Sequence, residues 1–196
     1  MLAVTIGAAV LALLAGAGSA AKQATVTLTV GNTQDVDTLN PAVGALVIDY
    51  EAWNMEYATL TRKAASDFHT IPGLAMSWKG SNGGKTWTYK LRPNLKWSDG
   101  VPLTSADVAY TVNRAHKEAW LNYSAFVGNI TATAPDPRTV VLKSSVPDPR
   151  LPGLGDTYIV PKHIYEKISA KDLTKYPAQD GVGSGPFILD KYVKGQ

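Results

Sequence analysis

Residues 71–115 read IPGLAMSWKGSNGGKTWTYKLRPNLKWSDGVPLTSADVAYTVNRA. Leu74 to Lys79 reads as a short strand or turn segment. Ser81-Asn82-Gly83-Gly84 then marks a hairpin, because Asn and Gly accept positive φ in tight turns. The return strand is Thr86 to Leu91: Trp87, Tyr89 and Leu91 face one way, Thr88 and Lys90 the other. Arg92-Pro93 ends it, and Ser98-Asp99-Gly100 is a second turn. Thr104 is an N-cap, and Asp107 three residues later makes a capping box with Asp in place of Glu. The helix that follows is expected from Ser105 to about Lys117, with Val108, Val112 and Ala115 on its apolar face.

Upstream of this stretch, Thr25 to Val30 alternates polar and apolar, which predicts a strand ending at Gly31-Asn32. Asn40-Pro41 is a break. Ala45 to Thr61 carries Leu46, Tyr50, Trp53, Tyr57 and Leu60 at helical spacing. That stripe reads as a helix face turned to a core more readily than as a cofactor site. Downstream, Ile130 to Thr133 and Thr139 to Leu142 form a second hairpin across Pro135-Asp136-Pro137-Arg138. A short helix is expected around His163 to Ile168. Pro177 to Gly185 is loop-like, and Phe187-Ile188-Leu189 looks like a further strand. The last residues, 191–196, follow directly on that strand, so the chain is expected to be a piece of a longer protein.

The composition is that of an ordinary globular protein: 196 residues, 45% apolar and 18% charged. Met1 to Ala21 has no charge, an apolar run from Val4 to Leu14, and the small residues Gly16-Ala17-Gly18-Ser19-Ala20. This predicts an export signal cleaved after Ala20 or Ala21, although a basic n-region is missing. A membrane anchor is the competing reading. The net charge of +3, with no basic block, gives no nucleic-acid surface. There is no cysteine, so disulfides play no part and a large core must supply stability.

No constellation of catalytic residues stands out. His69, His116 and His163 are scattered and form no metal-ligand spacing. Ser184 lies in Gly183-Ser184-Gly185, but Val182 and Pro186 break the Gly-x-Ser-x-Gly elbow, so a loop of small residues is the better reading. No phosphate loop occurs. Asp35, Asp37, Asp49 and Glu51 could solvate the surface or recognise a cationic group. Arg92 could hold a ligand carboxylate in its planar fork, or pair with a nearby acid. Five Trp and nine Tyr could line a ligand site or a cross-strand core. Asn122-Tyr123-Ser124 is a formal glycosylation triplet.

Taken together, the segments resemble the extracellular solute-binding proteins of family 5, the peptide- and nickel-binding components of bacterial ABC transporters. The likeness rests on residues 71–115, which follow the pattern P-x-L-A-x-x-W, a Gly turn, T-x-x-F/Y-x-L-R, K-W-x-D-G and T-A-x-D-V. Asp37-Thr38-Leu39-Asn40-Pro41, Val160-Pro161-Lys162-His163 and Val182-Gly183-Ser184-Gly185-Pro186-Phe187 follow in the family's order. Ser105, Ser184 and Asn82-Gly83 depart mildly from the pattern.

The resemblance implies an α/β fold, namely the N-terminal part of a two-lobed (type II) periplasmic binding-protein clamp. An α+β insert domain would carry the β-hairpins. The implied division is a signal peptide at 1–21, the first part of lobe I at 22–44, a family-specific second domain at 45–175, and a return into lobe I at 176–196. The implied activity is capture of a small solute, foremost a peptide, in the periplasm or outside the cell, for delivery to an ABC transporter permease. A metal complex or an oligosaccharide is the alternative cargo, and an exported hydrolase ranks below both. No enzyme activity, cofactor, metal or nucleic acid is expected, and the protein is expected to be a monomer. The implied ligand contacts are Thr38, Leu39, Asn40, Tyr50, Tyr123, Ser124, Gly183, Ser184 and Gly185. Asn40 and Gly183 are expected to serve structure first. Lacking one side of the clamp, the chain by itself is expected to bind cargo weakly or not at all.

Overall fold

The hairpin turn adopts the backbone that its residues favour: Asn82, Gly83 and Gly84 take φ of 51°, 60° and 84°. It joins β3 (Ala75–Ser81) to β4 (Thr86–Leu91) in an antiparallel pair, with Trp78 opposite Tyr89 and Gly80 opposite Trp87. A Cβ on Gly80 would lie 3.0 Å from the Trp87 ring, so the missing side chain makes room for the indole across the strand. The second hairpin is β5 (Ile130–Asp136) and β6 (Thr139–Ser144). The two hairpins join through β4 and β6 into one antiparallel sheet of order β3-β4-β6-β5. A register irregularity between Thr133 and Asp136 lets β5 continue past Pro135, which cannot donate to a ladder.

The computed structural model describes residues 27–153 and 157–194. Within them, the expected capped helix is α2 (Ser105–Glu118), starting at Thr104 as read from the sequence. Val108, Val112 and Ala115 are fully buried, in one core with Tyr89 and Leu91 of β4, Val140 and Leu142 of β6, and Ile130 of β5. Each such valine, leucine or isoleucine side chain contributes about 1.5–3 kcal/mol by leaving water. Asn113 docks the helix on the sheet edge. Its amide donates to the Ala132 carbonyl (2.8 Å), and its carbonyl accepts from the Ala132 N–H (2.8 Å). Both outward-facing backbone groups of this edge residue are thereby satisfied.

Asp107 does more than close the capping box. One carboxylate oxygen accepts from the Thr104 N–H (2.8 Å). The other accepts from the Trp97 indole (3.3 Å) and from the Lys162 N–H (3.2 Å). Trp97 and Asp107 are both buried. One carboxylate thus ties the start of α2 to the preceding loop and to α4 (Lys162–Tyr165). Arg114 extends the tie: its guanidinium donates to the carbonyls of Tyr165 and of Ile168, and it pairs with Glu118 at 3.0 Å.

Several expectations are corrected. The Ala45–Thr61 helix is shorter, α1 (Val47–Glu56), and Tyr57 is already extended at φ −116°. Thr59 then bridges to Tyr158, and Thr61–Lys63 becomes β1, paired with β2 (Thr70–Pro72). The apolar stripe still forms core: Trp53, Tyr57 and Leu60 are buried, while Leu46 is exposed. The His163–Ile168 helix narrows to α4, a further short helix, α5 (Ala170–Leu173), follows it, and α3 (Ser124–Val127) is a single turn.

Thr27 to Val30 joins no ladder among the described residues, and Leu28 and Val30 are exposed. The same holds for Phe187–Leu189, with Phe187 and Ile188 exposed. Alternation supplies a face, but a strand also needs hydrogen-bonding neighbours. The expected leader at 1–21, and residues 25–26 of the expected strand, lie outside the described residues. Residues 33–194 belong to one compact unit.

Candidate functional site

The predicted contact residues fall in separate neighbourhoods. The first surrounds the start of α1. The Asp49 carboxylate is fully buried and accepts from the N–H groups of Asp37 (2.8 Å), Thr38 (3.3 Å) and Leu46 (3.1 Å). It folds the 37–38 turn onto the helix, a role in which it is fully engaged by backbone donors. Thr38 is half-buried, and its hydroxyl accepts from the Asn40 N–H (3.0 Å).

Leu39 and Asn40 are buried. The Asn40 amide donates to the carbonyls of Leu173 (2.8 Å) and Tyr176 (3.1 Å), and its oxygen accepts from the Ala42 N–H (3.0 Å). Asn40 therefore clasps the segment after α5 to the N-terminal turn. Tyr50 packs on Trp53 (ring centroids 5.0 Å apart) and on Tyr158 (6.1 Å) while keeping exposed surface.

The second neighbourhood is the C-terminal end of α1, where the last carbonyls of a helix lack intrahelical partners. The 183–187 loop supplies them. The Ser184 and Gly185 N–H groups donate to the Glu56 carbonyl (2.9 and 2.8 Å), and the Phe187 N–H donates to that of Met55 (3.0 Å). The Ser184 hydroxyl accepts from the Ala58 N–H at 3.0 Å. Its engagement there gives it a capping role. Gly183 is held from the other side, since its carbonyl accepts from the Ser98 N–H (2.9 Å) and its N–H donates to the Ser98 hydroxyl (3.1 Å). A Cβ on Gly183 would stand 2.1 Å from the Glu56 carbonyl oxygen, and one on Gly185 2.4 Å from that of Met55. The helix ends at Glu56 because this distant loop caps it there.

Glu56 is the residue that pattern reading missed. It is 4% exposed, and among the described residues no donor reaches its Oε1. Burial, reinforced by the nearby Asp180, pushes its carboxyl up to about 7. The sequence of α1 carries no sign of this, because Gly183, more than a hundred positions away, packs against the Glu56 side chain.

Tyr123 and Ser124 separate by depth. Tyr123 is fully buried and donates to the Tyr158 carbonyl (2.8 Å). Ser124 is exposed at the start of α3, donating to Leu121 (3.1 Å). The histidines lie apart: His69 by Asp67, His116 by the Val127 carbonyl, and His163 by Asp99 (2.8 Å). Arg92 donates through Nε to the Gly73 carbonyl (2.8 Å).

Between the end of α1, β1, β2, the Arg92 strand end and the 184–186 loop lies an open cavity of about 840 Å³. Its walls include Tyr57, Thr59, Leu74 and Ser184.

Comparison with known proteins converges on one family. The model described as "Bacterial extracellular solute-binding proteins, family 5 Middle" matches residues 69–196. The chain is 34% identical over 182 residues to the "Probable D,D-dipeptide-binding periplasmic protein DdpA" of Escherichia coli, covering 86% of this chain and 34% of that protein. Among solved structures, the binding protein MoaA from A. tumefacien R10, in complex with mannopinic acid, superposes with a TM-score of 0.71. It is 27% identical, over 83% of this chain and 34% of its own. The oligopeptide-binding protein AppA of Bacillus subtilis, in complex with a nonapeptide, shares the fold: TM-score 0.73 at 24% identity, over 86% of this chain and 34% of its own. The architecture is thus that of part of a type II binding-protein clamp, as the resemblance implied. The chain spans about a third of the length of these relatives.

Proposed function

Since the chain belongs to the bacterial extracellular solute-binding proteins of family 5, we propose that it is part of a protein that captures a peptide outside the cytoplasm. That protein hands its cargo to an ABC transporter permease. Family membership is the observation that carries this reading, and the dipeptide- and nonapeptide-binding relatives support the cargo class. The protein works as a monomer, without catalysis: ligand favours a closed clamp by binding it more tightly than the open one. Residues 1–21 direct export. Residues 22–44 and 176–196 belong to the first lobe, and 45–175 form the family-specific second domain.

Of the proposed cargo contacts, Thr38, Tyr50 and Ser124 keep surface with which to touch a ligand. Leu39, Asn40, Tyr123 and Gly183 are buried and hold the frame behind them. Ser184 and Gly185 cap α1 and border the cavity.

Native mass spectrometry of the protein purified from its own cells, without added ligand, tests the reading. A co-purifying peptide is the expected result. Release of only a sugar or a chelated metal would overturn the peptide class, and a retained cytoplasmic location would overturn capture outside the cell.

A further inference from the structure

The cavity at the end of α1 is lined by cations. Its charged lining among the described residues is Arg62, Lys63 and Arg92, with no Asp or Glu among them. Among the described residues none of these three takes part in an ion pair.

Two of them are held in place by neutral groups: Arg92 by the Gly73 carbonyl, and Lys63 by the Thr70 hydroxyl at 3.1 Å. These bonds orient the side chains without neutralising them. Like charges at one cavity repel, and the repulsion is relieved when an anion enters. Guanidinium forks suit the paired oxygens of carboxylate and phosphate. Asn54 and Thr59 add polar lining, Pro72, Leu74 and Pro186 add apolar lining, and the volume of about 840 Å³ suits a small molecule.

We propose that this cavity is a binding site for a small, multiply charged oxyanion, a polycarboxylate or a phosphorylated solute. The proposal goes beyond peptide capture and does not depend on it. It concerns a site built from β1, β2, the ends of α1 and β4 and the 184–186 loop.

Isothermal titration of the full chain at low ionic strength, with citrate and with pyrophosphate as separate probes, tests the proposal. One equivalent of at least one probe should bind, and added salt should weaken it. Citrate alone identifies a polycarboxylate site, pyrophosphate alone a phosphate site, and both the shared oxyanion chemistry. Arg62→Gln and Lys63→Gln each remove one charge from an exposed side chain. Each should weaken binding about tenfold or more, with the thermal melting curve unchanged. Absence of binding by both probes, or binding that neither substitution alters, overturns the site. Neither probe is a peptide, so this outcome is distinct from failure of the cargo reading.

Discussion

Replacing Asp107 by alanine removes a carboxylate that four donors share. Its partners are the Thr104 N–H (2.8 Å), the Thr104 hydroxyl (3.3 Å), the Trp97 indole (3.3 Å) and the Lys162 N–H (3.2 Å). The Thr104 bond belongs to the helix cap, and losing a cap costs about 1 kcal/mol. The Trp97 and Lys162 bonds are to a charged acceptor in a buried setting, where a bond contributes about 1.5–3 kcal/mol. The hydroxyl of Thr104 can turn to water and adds little. Without the carboxylate, the buried indole N–H is left without its partner, so relaxation recovers only part of the loss. The Trp97 and Lys162 bonds are both long (3.3 and 3.2 Å), so the lower end of that range applies, about 4 kcal/mol with the cap. After partial relaxation the expected destabilisation is about 3–4 kcal/mol.

Urea unfolding followed by tryptophan fluorescence measures this directly, since Trp97 itself reports on the site. For a unit of this size the melting temperature should fall by about 6–16 °C. Asp107→Asn is the sharper probe. It keeps the volume, but its amide can offer only one acceptor oxygen, so it cannot serve both the Thr104 N–H and the Trp97–Lys162 pair. It should lose about 1.5–3 kcal/mol. A change of about 1 kcal/mol or less for the alanine variant would show that the carboxylate is only a surface cap. The proposed coupling of loop, α2 and α4 would then fail.

Glu56, pushed up to about 7 by burial and Asp180, is neutral in the fold at pH values where the unfolded chain already ionises. Stability should therefore fall as pH rises from about 4.5 to about 7 and level off above, and Glu56→Gln should flatten that slope in urea titrations at several pH values. Gly183→Ala places a Cβ 2.1 Å from the Glu56 carbonyl oxygen. It should displace the 183–187 loop, seen as faster proteolysis there and a loss of about 1–3 kcal/mol; an unchanged cleavage pattern would refute the close packing. Asn113→Ala leaves the outward N–H and carbonyl of Ala132 without their partners and should cost about 1–2 kcal/mol in thermal unfolding, with faster amide exchange at Ala132.

What could be read from the chain alone was local. The Asn82-Gly83 turn, the alternation of Trp87, Tyr89 and Leu91, and the Thr104–Asp107 cap each depend on neighbours within a few residues, and each appears where expected. The family likeness was legible for the same reason, since its patterns are strings of such local signals.

What only the tertiary structure decided depends on residues far apart in sequence. α1 stops at Glu56 because backbone N–H groups more than a hundred positions away take its last carbonyls. Ser184 is a capping group, and Asn40 a clasp to Leu173 and Tyr176, for the same reason. Thr27–Val30 and Phe187–Leu189 alternate or run apolar as strands do, yet a ladder requires a partner, and none lies among the described residues. The gathering of Arg62, Lys63 and Arg92 around one cavity follows from how β1, β2 and β4 converge. Side-chain period and turn chemistry are properties of a segment; burial, capping at a distance and the meeting of like charges are properties of the packed whole.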